Sequence, residues 1–286
     1  MEPPIRTPPC PDGARWRWAA LWVLAAASCG HPSEGGVAGA ADATQGVAAP
    51  TATGKGADAE GATAKVASAS RAPSLIVGRA HSVIRPTGHF DVGAWGGSVN
   101  THTLLDTSGL GAVPVSECRF LWGQDNLYMF FYAGDLDLQV RSSKHDSPVW
   151  KDDAVTFAFF RPTAAPGAPP PTKFVLSVTP TGVLSDGICP EDALDLGDPR
   201  CDLGWESHAL VGSDFDGTLN KVGDFDEEWA VEVALPLRSI GVDPKAAPPV
   251  HIAATVRRCE MAHDGPRACG LWGDPSRPGE LVLEDR

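Results

Sequence analysis

From about Pro73 onward, apolar and polar side chains alternate in short runs. Val155, Phe157 and Phe159 alternate with Ala154, Thr156 and Ala158, and Phe174, Leu176 and Val178 with Val175, Ser177 and Thr179. Trp229, Val231, Val233 and Leu235 alternate with Ala230, Glu232 and Ala234, and Ile252, Ala254 and Val256 with Ala253, Thr255 and Arg257. A period of two places one set of side chains on a core face, so each run predicts a β-strand. The stretch FLWGQDNLYMFFYAGDLDLQ, Phe120 to Gln139, predicts a hairpin of Arg119–Trp122 and Leu127–Ala133 around Gly123–Asn126. Its second strand is bulky at both parities, which requires cover on both faces. Asp135 and Asp137 then leave the sheet as a loop. The Pro-rich run Ala165–Pro171 cannot continue a ladder, because proline has no donor, and it is read as a strand connection. Long amphipathic helical patterns are absent. Many short strands separated by turn residues predict an all-β antiparallel sandwich, and about 210 residues suit one such domain.

The first 72 residues follow different rules. Arg15 and Arg17 precede the apolar run AALWVLAAAS, and small residues lead to Cys29. A charged start, a short apolar run and small residues make an export signal over residues 1–28, too short to remain as a spanning helix. The AASCG segment is also similar to a bacterial lipoprotein box, with Ala26 where Leu is usual. That likeness implies lipid on Cys29, and Gly30 after it is compatible with sorting to the outer membrane; an ordinary secretory signal is the alternative. Gly30 to Ala72 is built from Ala, Gly, Thr and Ser without aromatic residues, Leu, Ile or Met. It cannot bury apolar surface, so residues 29–72 are expected to be a disordered tether. Its ends would average roughly 35–40 Å apart as a Gly-rich coil. The folded domain is then 73–286.

The formal net charge is −13. Removal of residues 1–28 takes away Arg6, Arg15, Arg17, Glu2 and Asp12, leaving 20 basic residues against 34 acidic. A nucleic-acid partner is excluded on this ground, since phosphate binding needs basic patches. Of the seven cysteines, Cys10 leaves with the signal and Cys29 would carry lipid. Export makes disulfides plausible. Cys189 with Cys201 and Cys259 with Cys269 are local pairs flanked by Gly, Pro and Asp, and closing such loops stabilises by roughly 3 kcal/mol in the chain-entropy picture. Cys118 is left as a buried thiol. With no CxxC, a zinc knuckle is not indicated.

Five stretches, in order, carry a resemblance: CRFLWGQDNLYMFFYAGDLD, VWKDDAVTFAFF, FVLSVTPTGVLSD, GTLNKVGDFDEEWAVEVALPLRSIG and PGELVLED. Over most of residues 88–286 the chain resembles family 9 carbohydrate-binding modules. The resemblance implies a calcium-stabilised β-sandwich, often attached to glycoside hydrolases, that binds sugar chain ends between tryptophans. The chain departs from that family on one sheet face. Thr156 stands where an acid is frequent, Val175 and Ser177 where Glu is common, and Thr255 where Asn is common before Arg257.

Candidate ligand residues follow from this. Trp122 and Trp229 fit strand patterns and are expected in the core, whereas Trp95, Trp150 and Trp205 lie in loops, where binding residues concentrate. A loop ring can stack on a pyranose face. Trp150 and Trp205 are the expected platforms, with Asp153, Glu232 and Arg257 as polar partners. Glu232 and Arg257 both point away from their strands' core face and would form an ion pair if adjacent. Asp135, Asp137 and Asp152 are the expected calcium ligands, since calcium favours several converging hard oxygens. The SDFDGTLN stretch lacks the spacing of an EF-hand and reads as a surface turn. No GxSxG, HExxH or P-loop is present, and scattered acids nominate no glycosidase pair. The expected activity is therefore non-catalytic binding of an oligo- or polysaccharide by an exported, lipid-anchored protein accessory to polysaccharide breakdown. A structural or protein-binding envelope role is the alternative. A haem-binding redox module, with Met129 or Met261 as axial ligand, is a third reading.

Overall fold

The computed structural model describes residues 72–106, 114–161, 172–221, 223, 225–262 and 265–285. The export signal, Cys29, the tether up to residue 71 and the Pro-rich connection lie outside the described residues. Among the described residues thirteen strands form two sheets. They are β1 (Ser74–Val77), β2 (Val99–Asn100), β3 (Leu105–Asp106), β4 (Ser116–Trp122), β5 (Asn126–Gly134), β6 (Ala154–Phe160) and β7 (Thr172–Val178). Then follow β8 (Leu184–Pro190), β9 (Leu210–Asp216), β10 (Glu228–Pro236), β11 (Val250–Ala262), β12 (Gly265–Trp272) and β13 (Gly279–Leu283). The larger sheet runs β1-β13-β11-β6-β7-β8, with β12 on β11 and β3 on β12; the smaller runs β2-β4-β5-β10-β9. Pairing is antiparallel except between β1 and β13. Strands β8 and β9 are the edge strands that end the larger and the smaller sheet.

The inward parity of each run forms one core. Phe120, Met129, Phe131, Trp229, Val231 and Val233 of the smaller sheet face Phe157, Leu176, Val256, Trp272 and Leu281 of the larger. Removing a side chain such as Phe157 would leave a cavity and cost about 3–5 kcal/mol. Trp122 and Trp229 are core residues as their periodicity predicts. Met129 is fully buried in this core, and Met261 is buried near the end of β11. Both disulfides form as expected, and Cys118 is a buried free thiol whose pKa burial raises well above the ordinary value.

The double-sided character of β5 has a specific cause. Met129 and Phe131 point inward, while Tyr128 and Phe130 point outward beneath Ile84, Phe90 and Trp95. This second apolar layer explains why Trp95, read from sequence as a loop aromatic, is 1% exposed. The cover is fastened at Gly88, whose φ of +88° suits glycine; a Cβ there would lie 2.2 Å from the Ser213 carbonyl carbon.

Candidate functional site

The outer face of the larger sheet has its own register row. Leu271, Arg257, Thr156, Ser177 and Ser185 sit side by side across β12, β11, β6, β7 and β8. The Thr156 and Ser177 hydroxyls hydrogen-bond at 2.8 Å. Beside this row, next to the outward Thr255 and Lys173, stand the apolar side chains of Ala158, Phe160 and Val175. The loop closed by Cys189–Cys201 folds over them, packing Ala193 and Leu196 onto the sheet with Trp150, Cys201 and Leu203 at the border. The departures from family 9 polarity at Val175 therefore have a physical reason, since that position is roofed by the disulfide loop.

What the loop leaves uncovered is a groove of about 280 Å³. Its floor includes Thr156, Thr255, Lys173 and Arg257; Leu194 stands on one rim and Asp274 with Pro275 on the other. Arg257 is held by Asp195 at 3.2 Å and by the Cys269 sulfur at 3.6 Å. Lys173 donates to the Ala193 carbonyl. Burial pulls its ammonium below the ordinary lysine range, with Asp192 and Glu191 acting in the opposite direction. Asp274 is held below the ordinary carboxylate range by hydrogen bonds from Ser276. The site thus combines donors, hydroxyl groups and apolar rims, the ingredients of a small-molecule pocket.

Of the five expected ligand residues, only Arg257 lines this groove. Trp150 is half-buried against Gly197 of the disulfide loop. Trp205 packs on Phe174 with ring centroids 5.0 Å apart and closes the edge of the core. Glu232 lies on the outer face of the other sheet, so it forms no ion pair with Arg257. Its carboxylate accepts from Trp95 Nε1 at 2.7 Å, Thr87 Oγ1 at 3.0 Å and the amides of Thr87 and Gly88. That carboxylate clamps the outer cover of β5. Sequence reasoning passed over Lys173 and Asp195. Lys173 shares the outward parity of Val175 and Ser177, and that parity was the available signal.

The expected metal residues also separate. Asp152 accepts the amides of Arg141 and Ser142, and Asp137 accepts from Gln139 Nε2 at 2.7 Å. Asp135 instead meets Asp153 and Glu260 in a buried cluster. Arg258 bridges Asp135 at 2.8 Å and Glu260, and reaches Ser116 at 3.0 Å. Asp135 further accepts from Trp229 Nε1 and the Asp137 amide, and Asp153 from the amides of Gln139 and Met261. A guanidinium occupies the position of a cation and the oxygens are engaged, so this arrangement does not fit a calcium site. Burial, then the nearby Asp135, pushes the Asp153 carboxyl up to about 9. These carboxyls are shielded from solvent and cannot reach a substrate.

No family model matches the chain, and no curated protein sequence matches it. Among solved structures, a candidate carbohydrate-binding protein from Bacteroides uniformis superimposes with a TM-score of 0.54 at 14% identity, covering 74% of this chain and 99% of that one. The chain shares its β-sandwich fold. A family 9 carbohydrate-binding module from Caldicellulosiruptor kristjanssonii, solved with cellotriose and with glucose, aligns over 74% of this chain at 14% identity with a TM-score of 0.48 in each case. It spans 94% and 96% of those chains. The sandwich implied by the sequence resemblance is the fold observed.

Proposed function

We propose that the chain binds an oligosaccharide without hydrolysing it, in the groove on the outer face of the larger sheet. The observation that carries this reading is the groove itself, where Arg257, Thr156 and Thr255 present polar groups beside the apolar side chains of Leu194 and Leu271. Sugars offer the matching combination of hydroxyls and apolar ring faces. The family 9 resemblance supports the ligand class, as does the description of the Bacteroides uniformis sandwich as carbohydrate-binding. Cys29 would anchor the domain in the cell envelope through lipid, with residues 29–72 as tether, in a role accessory to polysaccharide breakdown. Loss of metabolic palmitate labelling in Cys29→Ala checks the anchor.

Calorimetry with cello-, xylo- and manno-oligosaccharides tests the binding. Arg257→Ala is expected to weaken it at least tenfold, whereas Trp150→Ala leaves affinity within about twofold. Removing a hydrogen bond to a charged group accounts for about 1.5–3 kcal/mol. Wild-type silence across a broad glycan array would overturn the proposal. It would leave the protein-binding envelope role, which one observation favours: no aromatic side chain is among the groove's lining residues.

A further inference from the structure

The core-facing parity of β8 reads Leu184, Asp186, Ile188. Leu184 and Ile188 pack on the core, and Asp186 pairs in register with the core residue Leu176. A carboxylate in an apolar row is a local rule broken, and such breaks concentrate at functional positions. Asp186 is fully buried. Its Oδ2 accepts the Ser207 amide at 2.9 Å, but its Oδ1 has no hydrogen-bond partner. Asp186 borders a cleft of about 400 Å³ between the edge strands β8 and β9, lined also by His145, Glu206, His208 and Val211.

Two other donors, from His145 and Asp146, converge with the Asp186 carboxylate, the three ligand atoms all within 4.8 Å of one another. His145 Nε2 lies 3.1 Å from Glu206 Oε2, 3.5 Å from Asp146 Oδ2 and 3.8 Å from Asp186 Oδ1. The last distance is too long for a hydrogen bond. Donors on a tetrahedron of ~2.0–2.1 Å bonds lie roughly 3.3–3.4 Å apart, and the 3.5 and 3.8 Å separations of His145 from Asp146 and Asp186 lie close to that edge length. An imidazole among carboxylates suits zinc-class ions rather than calcium, which takes oxygens alone. An unpaired buried oxygen is costly, and a cation would satisfy it.

We propose that His145, Asp146 and Asp186 form a site for a divalent transition ion of the zinc class, with Glu206 beside His145 at its border. It lies at the open edge of the sandwich, formed by other residues than the groove and separate from the Asp135–Asp153–Glu260 cluster. The cleft beside it leaves room for a further oxygen ligand from solvent or a bound molecule.

The test is titration of the full chain, first stripped with chelator, with zinc by calorimetry and with cobalt by visible absorption. One zinc per chain and the d–d bands of tetrahedral cobalt are expected. Loss of a group that only hydrogen-bonds to a metal ligand already weakens metal sites 10–100-fold, so His145→Ala is expected to weaken zinc binding at least about 100-fold. Asp186→Asn should do the same, while His251→Ala, which removes a surface histidine beside Glu280, changes nothing. Excess calcium should not displace the zinc. If Asp186→Asn fails to fold, His145→Ala decides alone, because that side chain is 43% exposed. Zinc binding that survives His145→Ala, or no binding by the wild type at micromolar zinc, overturns the site.

Discussion

Glu232→Ala distinguishes a clamp from a ligand group. Truncation strips four hydrogen bonds from one buried carboxylate. The Trp95 indole N–H is the expensive loss, because Trp95 is 1% exposed and water cannot replace the acceptor. An unsatisfied buried donor costs about 1–3 kcal/mol. The amides of Thr87 and Gly88 lie in a turn nearer solvent and recover part of their hydration, leaving about 1 kcal/mol each. The Thr87 hydroxyl can rotate to water. The total comes to about 3–5 kcal/mol. For a domain of this size each kcal/mol moves Tm by about 2–4 °C, so the midpoint should fall by roughly 6–20 °C. Calorimetric melting measures it, and a double-mutant cycle with Trp95→Phe isolates the indole bond. Glycan affinity, measured below the new midpoint, should not change. A cost under about 1 kcal/mol, or strict additivity of Glu232→Ala and Trp95→Phe, would refute the clamp.

Two further outcomes follow from the structure. Asp153 has its folded pKa raised to about 9 from an ordinary value of 3.8, so the folded state holds a proton that the unfolded chain releases. Its contribution is fully present below about pH 4 and is lost as pH rises toward 9, a slope of at most about 1.4 kcal/mol per pH unit. Urea melts across that range should show the decline, and Asp153→Asn should remove this share of the slope whatever it does to the midpoint; an unchanged slope counts against the assignment. Replacing Cys189 and Cys201 together by serine should cost roughly 3 kcal/mol in denaturant melts and expose the surface around Val175, while native Cys118 stays unreactive toward thiol reagents; a variant as stable as wild type would show that the loop's packing, not its closure, holds the roof.

The sequence alone determined β4, β5, β6, β7, β10 and β11, because a period of two is a local consequence of the pleat and needs no knowledge of neighbours; it missed the other strands and read the end of β9, Ser213–Asp216, as a turn. It determined the two-sided burial of β5 from bulky residues at both parities, and the two disulfides from short spacing between turn residues. Parity also turned Glu232 and Arg257 outward, but parity is a statement about one strand. Which sheet each strand joins, and what covers its outer face, depends on contacts between distant segments. The chain from Ile84 to Trp95 buries Glu232, while the disulfide loop roofs Val175 and stops short of Arg257. The acidic residues show the same limit. Asp135, Asp153 and Glu260 meet only because β5, β6 and β11 bring their ends together, and Asp186 meets His145 only across a sheet edge. Carboxylates are frequent along an acidic chain, so adjacency in sequence carries little information about convergence. Burial and proximity, which turn a common residue into a clamp, a charge cluster or a ligand, are properties of the packed sandwich.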